Sequence, residues 1–264
     1  RPRDPVLGRD VAGTIEAVGS GVTTLKVGDE VYGELPGGGH AEYACARAEL
    51  LTHKPANLSF EQAAAAPLAG VTALQGLRDA GRIEAGQQVL INGASGAVGT
   101  FAVQIANAFG AEVTAVCSVQ SAQLVRDIGA DHVIDYATTD FTAGDERYDL
   151  IFDLIGSQPI GRCRKVLTAG GVYVASTSRL RTLLGAGITS MWAGGQVAVF
   201  AAKESRADLE ALRELLERGD VTPVIDRSYR LEDVPGAFRD QGQGHARGRK
   251  VVTIVEPTGE GSPA

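Results

Sequence analysis

One stretch constrains this chain more than any other. The apolar run Val89-Leu-Ile-Asn92 leads into Asn92-Gly-Ala-Ser-Gly-Ala-Val-Gly99, and a helical pattern follows at once. Val98, Phe101, Ala102, Ile105 and Phe109 share one face of that helix, which ends at Gly110. Between a strand and a helix the three glycines have separate mechanical jobs. Gly93 permits a tight turn, Gly96 lets backbone N–H groups approach a diphosphate, and Gly99 allows close helix–sheet packing. The helix N-terminus adds partial positive charge and unused N–H donors. With 34 glycines in 264 residues, the spacing alone would be weak. In register with a strand and an amphipathic helix, it predicts a dinucleotide-binding site.

The rest of the chain supplies a setting for that loop. Beyond Pro67 apolar strands alternate with helical patterns, as in a parallel sheet with crossover helices. The expected strands are 89–92, 113–117, 132–136, 149–153, 172–175 and 197–200. A later helix gathers Leu209, Leu212, Leu215 and Leu216, with Ser205 as N-cap and Gly219 beyond its end. Before Pro67 the sequence reads as short strands, 14–18 and 29–32, broken by glycine turns. Strands return from Thr222 and end in 251–255. This order predicts an α/β fold in which a Rossmann-type doubly wound parallel sheet (67–221) is inserted in a β-barrel domain (1–66 plus 222–256). A Pro- and Gly-containing tail occupies 257–264.

Composition removes several classes of function. A net charge of −7 argues against a nucleic-acid or membrane-surface partner, although Arg247, Arg249 and Lys250 could hold a small anion. Cys45, Cys117 and Cys163 are scattered without a C-x-x-C pair, so neither a disulfide framework nor a structural zinc site is expected. No signal segment opens the chain, and a cytoplasmic protein is the expectation. The uncharged run Thr182–Ala202 is long enough to span a bilayer. Its glycines, Thr189, Ser190 and Gln196 make a loop leading into a buried strand the better reading.

The second strand bears on the choice of dinucleotide. An acid about twenty positions after the glycine loop would bond a ribose 2′-hydroxyl. Here the strand ends Cys117-Ser-Val-Gln-Ser121, with no acid before Asp127. Ser118 and Ser121 can donate to a 2′-phosphate, which favours NADPH. The plainer role for Ser118 is a cap on the next helix.

The loop 92–106 resembles that of the zinc-free medium-chain dehydrogenase/reductase superfamily, quinone oxidoreductase branch. So do Pro5-Val-Leu-Gly-Arg-Asp-Val-Ala-Gly13, Val27-Gly-Asp-Glu-Val-Tyr-Gly33 and Leu68-Ala-Gly-Val-Thr-Ala-Leu74. Gly244-His-Ala-Arg-Gly248 resembles the branch that includes the reticulon-interacting reductases. The resemblance implies a GroES-like barrel around the Rossmann sheet. It places Thr72 beside the nicotinamide riboside phosphate, Ser95, Gly96, Ala97 and Val98 around the pyrophosphate, and Ser118 and Tyr136 at the 2′-phosphate. Ile155 would lie against the cofactor, Ala198 and Phe200 near the nicotinamide, and His245, Ala246 and Arg247 over the phosphates. Family members carry some tens of residues before the equivalent of Pro5. Part of the barrel, and the usual proton-donor candidates, would be missing here with that segment. Two departures stand out: Gln120 replaces a frequent Arg, and Arg249 is an extra base before Lys250.

Zinc-dependent cousins have Gly-His-Glu where this chain has Gly8-Arg9-Asp10. A guanidinium offers no lone pair, so Arg9 cannot ligate a metal. No metal is expected, and Arg9 and Asp10 are expected to pair with each other at the barrel edge. His40 falls near the implied substrate mouth and could donate a proton, although an exposed loop histidine is the plainer reading. His53 reads as surface and Cys117 as a buried apolar residue; Tyr32 and Tyr43 could line the cleft, although core packing is the plainer reading. No catalytic side chain is assigned. The expected chemistry is NADPH-dependent hydride transfer to a quinone or an α,β-unsaturated carbonyl. The rivals are an NADPH-binding sensor or scaffold without turnover, and an enoyl-reductase module of a larger synthase. The apolar sixth Rossmann strand, 197–200, is expected to pair with its twin in a homodimer.

Overall fold

A computed structural model of the chain describes residues 6–176, 196–242 and 247–254. The strand before the glycine loop, β4 (Gln88–Asn92), lies inside a six-stranded sheet of order β6-β5-β4-β7-β8-β9. Its neighbours are β5 (Glu112–Cys117), β6 (His132–Asp135), β7 (Tyr148–Asp153), β8 (Leu167–Ala175) and β9 (Gln196–Val199), and every pairing is parallel. Both faces are covered, which is why these strands read as continuous apolar runs. The helices in chain order include α1 (Phe60–Ala64), α4 (Ala122–Asp127) and α5 (Ile160–Cys163). On one side of the sheet Val89, Ile91, Val113 and Phe152 meet α2 (Pro67–Gln75), α3 (Ala97–Ala108) and α6 (Arg206–Glu217). On the other, Leu90, Val116, Ile151 and Tyr173 meet Phe141 and Val166. Strand order changes direction between β4 and β7. In open α/β sheets the crevice at the carboxyl ends beside such a switch is where ligands bind.

The flanking segments build smaller sheets. β1 (Asp10–Thr14), β2 (Glu30–Glu34) and β3 (Leu51–His53) are antiparallel around Leu25, Val31 and Leu51. β10 (Ile225–Arg230) and β11 (Arg249–Thr253) run parallel, with α7 (Val234–Gly242) between them in sequence. The first strand lies four residues earlier than expected. Only Ile15 of the later stretch continues the ladder, donating to Asp29 O at 2.9 Å, and Val18 is exposed. Helix α7 is a correction to an all-strand reading after Thr222; Pro235 sits in its first turn, where a missing N–H is harmless. Most of the run 182–202 lies outside the described residues, and its end forms β9. Among the described residues no helix is long and apolar enough to cross a membrane.

Helix α6 shows how local signals and packing agree. Ser205 caps it, accepting from Asp208 N–H at 3.2 Å, and Gly219 leaves it at φ 77°. Its leucines 209, 212, 215 and 216 are buried, and Leu212 lies on Gly70 of α2, where an added Cβ would come within 2.5 Å of it. Leu212→Ala should therefore cost about 2–5 kcal/mol, read as a lower midpoint in urea unfolding.

Candidate functional site

The glycine loop is pinned before any ligand arrives. Gly93 and Ala94 N–H both donate to Val116 O at 3.1 Å, tying the turn to β5. Gly93 takes φ 92°, and a Cβ there would meet Ile155 Cγ1 at 2.8 Å. A Cβ on Gly99 would collide with Gly93 O, so the start of α3 packs directly on the turn. Gly96 differs from both. A Cβ there would find only Gly93 O at 3.4 Å, so the space beside it is open to a ligand. Gly96 also caps α3 with no side chain, leaving the first-turn N–H donors free for an anion. The donors and the open cradle fit a dinucleotide diphosphate.

Other expected residues surround this cradle. Thr72 is buried on α2, its hydroxyl donating to Leu68 O at 2.6 Å. Ser95, Ala97 and Val98 are half-buried on the loop, and Ser95 O accepts from Gly248 N–H at 2.9 Å, bringing the start of β11 over it. Ser118 follows β5, its hydroxyl 3.4 Å from that of Ser121. Tyr136 and Ile155 are exposed at the carboxyl ends of β6 and β7, and Arg247 is exposed before Gly248. Ala198 lies on β9, packed on the core. Phe200 turns its ring into the core, 6.1 Å from the Phe152 ring and against Gly76, so its side chain is committed to packing. His245 and Ala246 lie outside the described residues.

The family described as alcohol dehydrogenase GroES-like domain matches residues 1–56, and that described as zinc-binding dehydrogenase matches 128–252. A mitochondrial NAD(P)H oxidoreductase of Danio rerio is 34% identical over 285 residues, covering 95% of this chain and 72% of the relative. The chain belongs to the medium-chain dehydrogenase/reductase family. A chloroplastic NADPH-dependent alkenal/one oxidoreductase of Arabidopsis thaliana is 36% identical over 95% of this chain and 64% of its own length. The solved quinone oxidoreductase of Coxiella burnetii superposes with a TM-score of 0.83 at 28% identity, covering 95% of this chain and 80% of that one. The medium-chain fold, a Rossmann sheet with a GroES-like domain, is thereby shared.

In this family member the Gly8-Arg9-Asp10 segment does something other than expected. Arg9 and Asp10 do not pair with each other. Glu34 lies directly across the β1–β2 ladder from Asp10, and Arg9 reaches over to it while Asp10 meets Arg249. Arg9 pairs with Glu34 and, at 3.4 Å, Glu204. Asp10 pairs with Arg249 and accepts Leu68 N–H at 3.0 Å, capping α2 from a distant strand. Arg249, the extra base, is thus explained. Among the described residues no three His, Cys, Asp or Glu side chains are grouped to hold a metal ion.

Three further placements differ from the sequence reading. His40 is half-buried, its ring edge-on to Phe238 at 6.2 Å and lining a cavity of about 150 Å³ with Tyr229, Val234 and Lys250. Burial lowers its pKa, favouring the neutral ring. Tyr32 is core, donating to Leu209 O at 2.8 Å, whereas Tyr43 is 74% exposed. The stretch after β5 holds no acid, yet Asp135 on β6 lies in register with Cys117 and places a carboxylate beside that strand end. Ala137 N–H occupies one of its oxygens at 3.0 Å. Sequence reasoning also missed Asp153, fully buried at the end of β7. Burial first, and then the Asp153 charge, push the nearby Cys163 thiol up to about 12.

Glu34 gives a pH dependence. Burial pushes its carboxyl up to about 7, overcoming the pull of Arg9, with Asp10 and Glu204 adding to the rise. An acid raised in the folded state stabilises fully below its ordinary value of 4.5, and that contribution is lost as pH climbs through 7. Glu34→Gln should match the parent in thermal unfolding near pH 5 and exceed it near pH 8. A difference that does not change with pH would refute this.

Proposed function

We propose that the chain is an NADPH-dependent, metal-independent reductase that transfers hydride to quinones or α,β-unsaturated carbonyls. The observation that carries this reading is the open Gly96 cradle on the uncapped α3 N-terminus, with Ser118 and Tyr136 beyond it and no acid ending β5. The names of the Arabidopsis and Coxiella relatives point to the same acceptors and, for the first, the same cofactor. On this reading Ser95, Gly96, Ala97 and Val98 receive the diphosphate, and Ser118 and Tyr136 the 2′-phosphate. Thr72, Ile155 and Ala198 flank the nicotinamide riboside half, and Arg247 adds charge over the phosphates. Phe200 contributes through its backbone. Bound there, the cofactor supplies hydride to an electron-poor carbon. Arg9, fixed by Glu34, leaves no donor set for a metal at the barrel edge. The proposed division of the chain is 67–221 for cofactor binding and 1–66 plus 222–256 for the barrel side.

NADPH consumption across a panel of quinones, enones and aldehydes tests the reaction, and a chelator should leave it intact. NADPH should bind more tightly than NADH in a fluorescence titration. Ser118→Asp should reverse the order by setting a carboxylate against the 2′-phosphate. Equal affinities in the parent chain would count against the reading.

The same reading includes a homodimer through β9. Among the described residues this strand ends the sheet, and Val199 is 42% exposed. Phe200 N–H bonds inward to Ala175 O at 3.2 Å, so by strand alternation the Val199 N–H faces the open edge. A two-fold pairing of such edges closes on itself. Light scattering should show a dimer at micromolar concentration and a monomer for Val199→Pro. A monomeric parent overturns the assignment.

A further inference from the structure

Asp153 presents a buried anion with an unusual set of partners. It is 0% exposed, and among the described residues no cation pairs with it. Neutral donors stabilise it instead. Oδ1 accepts from Asn92 Nδ2 at 2.8 Å, Ile155 N–H at 3.0 Å and Gly156 N–H at 2.8 Å. Oδ2 accepts from the Tyr173 hydroxyl at 2.6 Å. A charge so far from water is tolerable only when such bonds are complete, and each is worth more than a neutral one.

Asn92, Ile155 and Gly156 lie at the edge of the proposed cofactor crevice, and Tyr173 reaches the carboxylate from inside β8. Asn92 is the last residue of β4, directly before Gly93, and it also donates to Ser157 Oγ at 3.1 Å. Its carbonyl accepts from Leu154 N–H at 3.1 Å. The carboxylate thus gathers the end of β4, the turn 154–157 after β7, and β8 through Tyr173. Those two turns flank the switch in strand order. Ile155 is held with its side chain over Gly93, yet it is 49% exposed. A half-exposed isoleucine fixed by its own backbone N–H against a glycine loop is placed to touch what the loop binds.

We infer that Asp153 is a positioning residue for the cofactor: its buried carboxylate, oriented by Tyr173 and Asn92, holds the turn after β7 against the glycine loop and sets Ile155 against the bound dinucleotide. The inference rests on the proposed NADPH site. It adds that cofactor affinity depends on a residue that never touches the cofactor. Asp153→Asn keeps the shape but removes the charge, weakening the bonds from the Ile155 and Gly156 N–H groups, while the Tyr173 hydroxyl can turn to accept the new N–H. Tyr173→Phe keeps the carboxylate and leaves Oδ2 unpaired.

A double-mutant cycle on the whole chain separates positioning from general structural support. NADPH dissociation constants are measured for the parent, Asp153→Asn, Ile155→Ala and the double variant, well below each thermal midpoint. Asp153→Asn and Ile155→Ala should each raise Kd about tenfold, the scale of one charge-assisted hydrogen bond. The double variant should stay near tenfold, because both remove the same contact. In turnover of Asp153→Asn, the KM for NADPH should rise by a larger factor than kcat at saturating NADPH falls. Tyr173→Phe replaces Asp153→Asn in the cycle if the latter does not fold. An unchanged Kd with a lowered thermal midpoint, or additive effects near a hundredfold, overturns the inference. A parent chain that binds no NADPH overturns the functional reading and the inference with it.

Discussion

The Asp10 carboxylate joins three parts of the molecule that the chain keeps far apart. It stands at the start of β1, accepts the Leu68 N–H at the head of α2 and pairs with Arg249 at the start of β11. Burial raises its pKa despite the opposing pull of Arg249 and the Leu68 N–H. Removing either partner would leave a buried group unsatisfied, which is far more damaging than replacing the pair together. Thr72 lies one turn along the helix that Asp10 caps, and Gly248, next to Arg249, reaches Ser95. The small strands and the nucleotide loop therefore share a frame of reference through one side chain.

A second carboxylate does comparable work inside the sheet. Asp10 joins separate elements across their boundary, and Asp153 joins adjacent loops along the sheet's carboxyl edge. Both accept backbone N–H groups at the ends of elements, where donors have no internal partner. The glycine loop lies between them, tied to β5 through Val116 O and to β11 through Gly248. Its rigidity comes from neighbours on several sides, since its own residues supply few polar side chains.

Much of this was legible in the sequence, and the reasons are local. The run 89–110 combines a buried strand, glycines at fixed offsets and an apolar helical face, and each signal needs only adjacent residues. Ser205 and its leucines are equally readable. What could not be read depends on partners distant in the chain. Arg9 and Asp10 are adjacent, yet each meets a partner that only the fold brings near, Glu34 across the β1–β2 ladder and Arg249 at the start of β11. Asp135 is far from Ser118 along the chain and enters its surroundings only through the β5–β6 register. The family resemblance puts Phe200 at the nicotinamide, whereas the missing side chain at Gly76 draws its ring inward. Helix α7 begins with Val234-Pro235, and its pattern is too short and too polar to announce itself.

The bond between Gly248 N–H and Ser95 O carries a consequence for biosynthesis. A chain made from its N-terminus exposes the strands and helices of the parallel sheet early, and these can collapse together while translation continues. The glycine loop, however, receives its last backbone partner only when residue 248 has left the ribosome. Until then Ser95 O has only water for a partner, and Asp10 still awaits Arg249. A nascent chain would thus hold a nearly finished sheet beside an unfinished nucleotide loop. Acquisition of the dinucleotide would mark the moment when both halves of the frame have emerged.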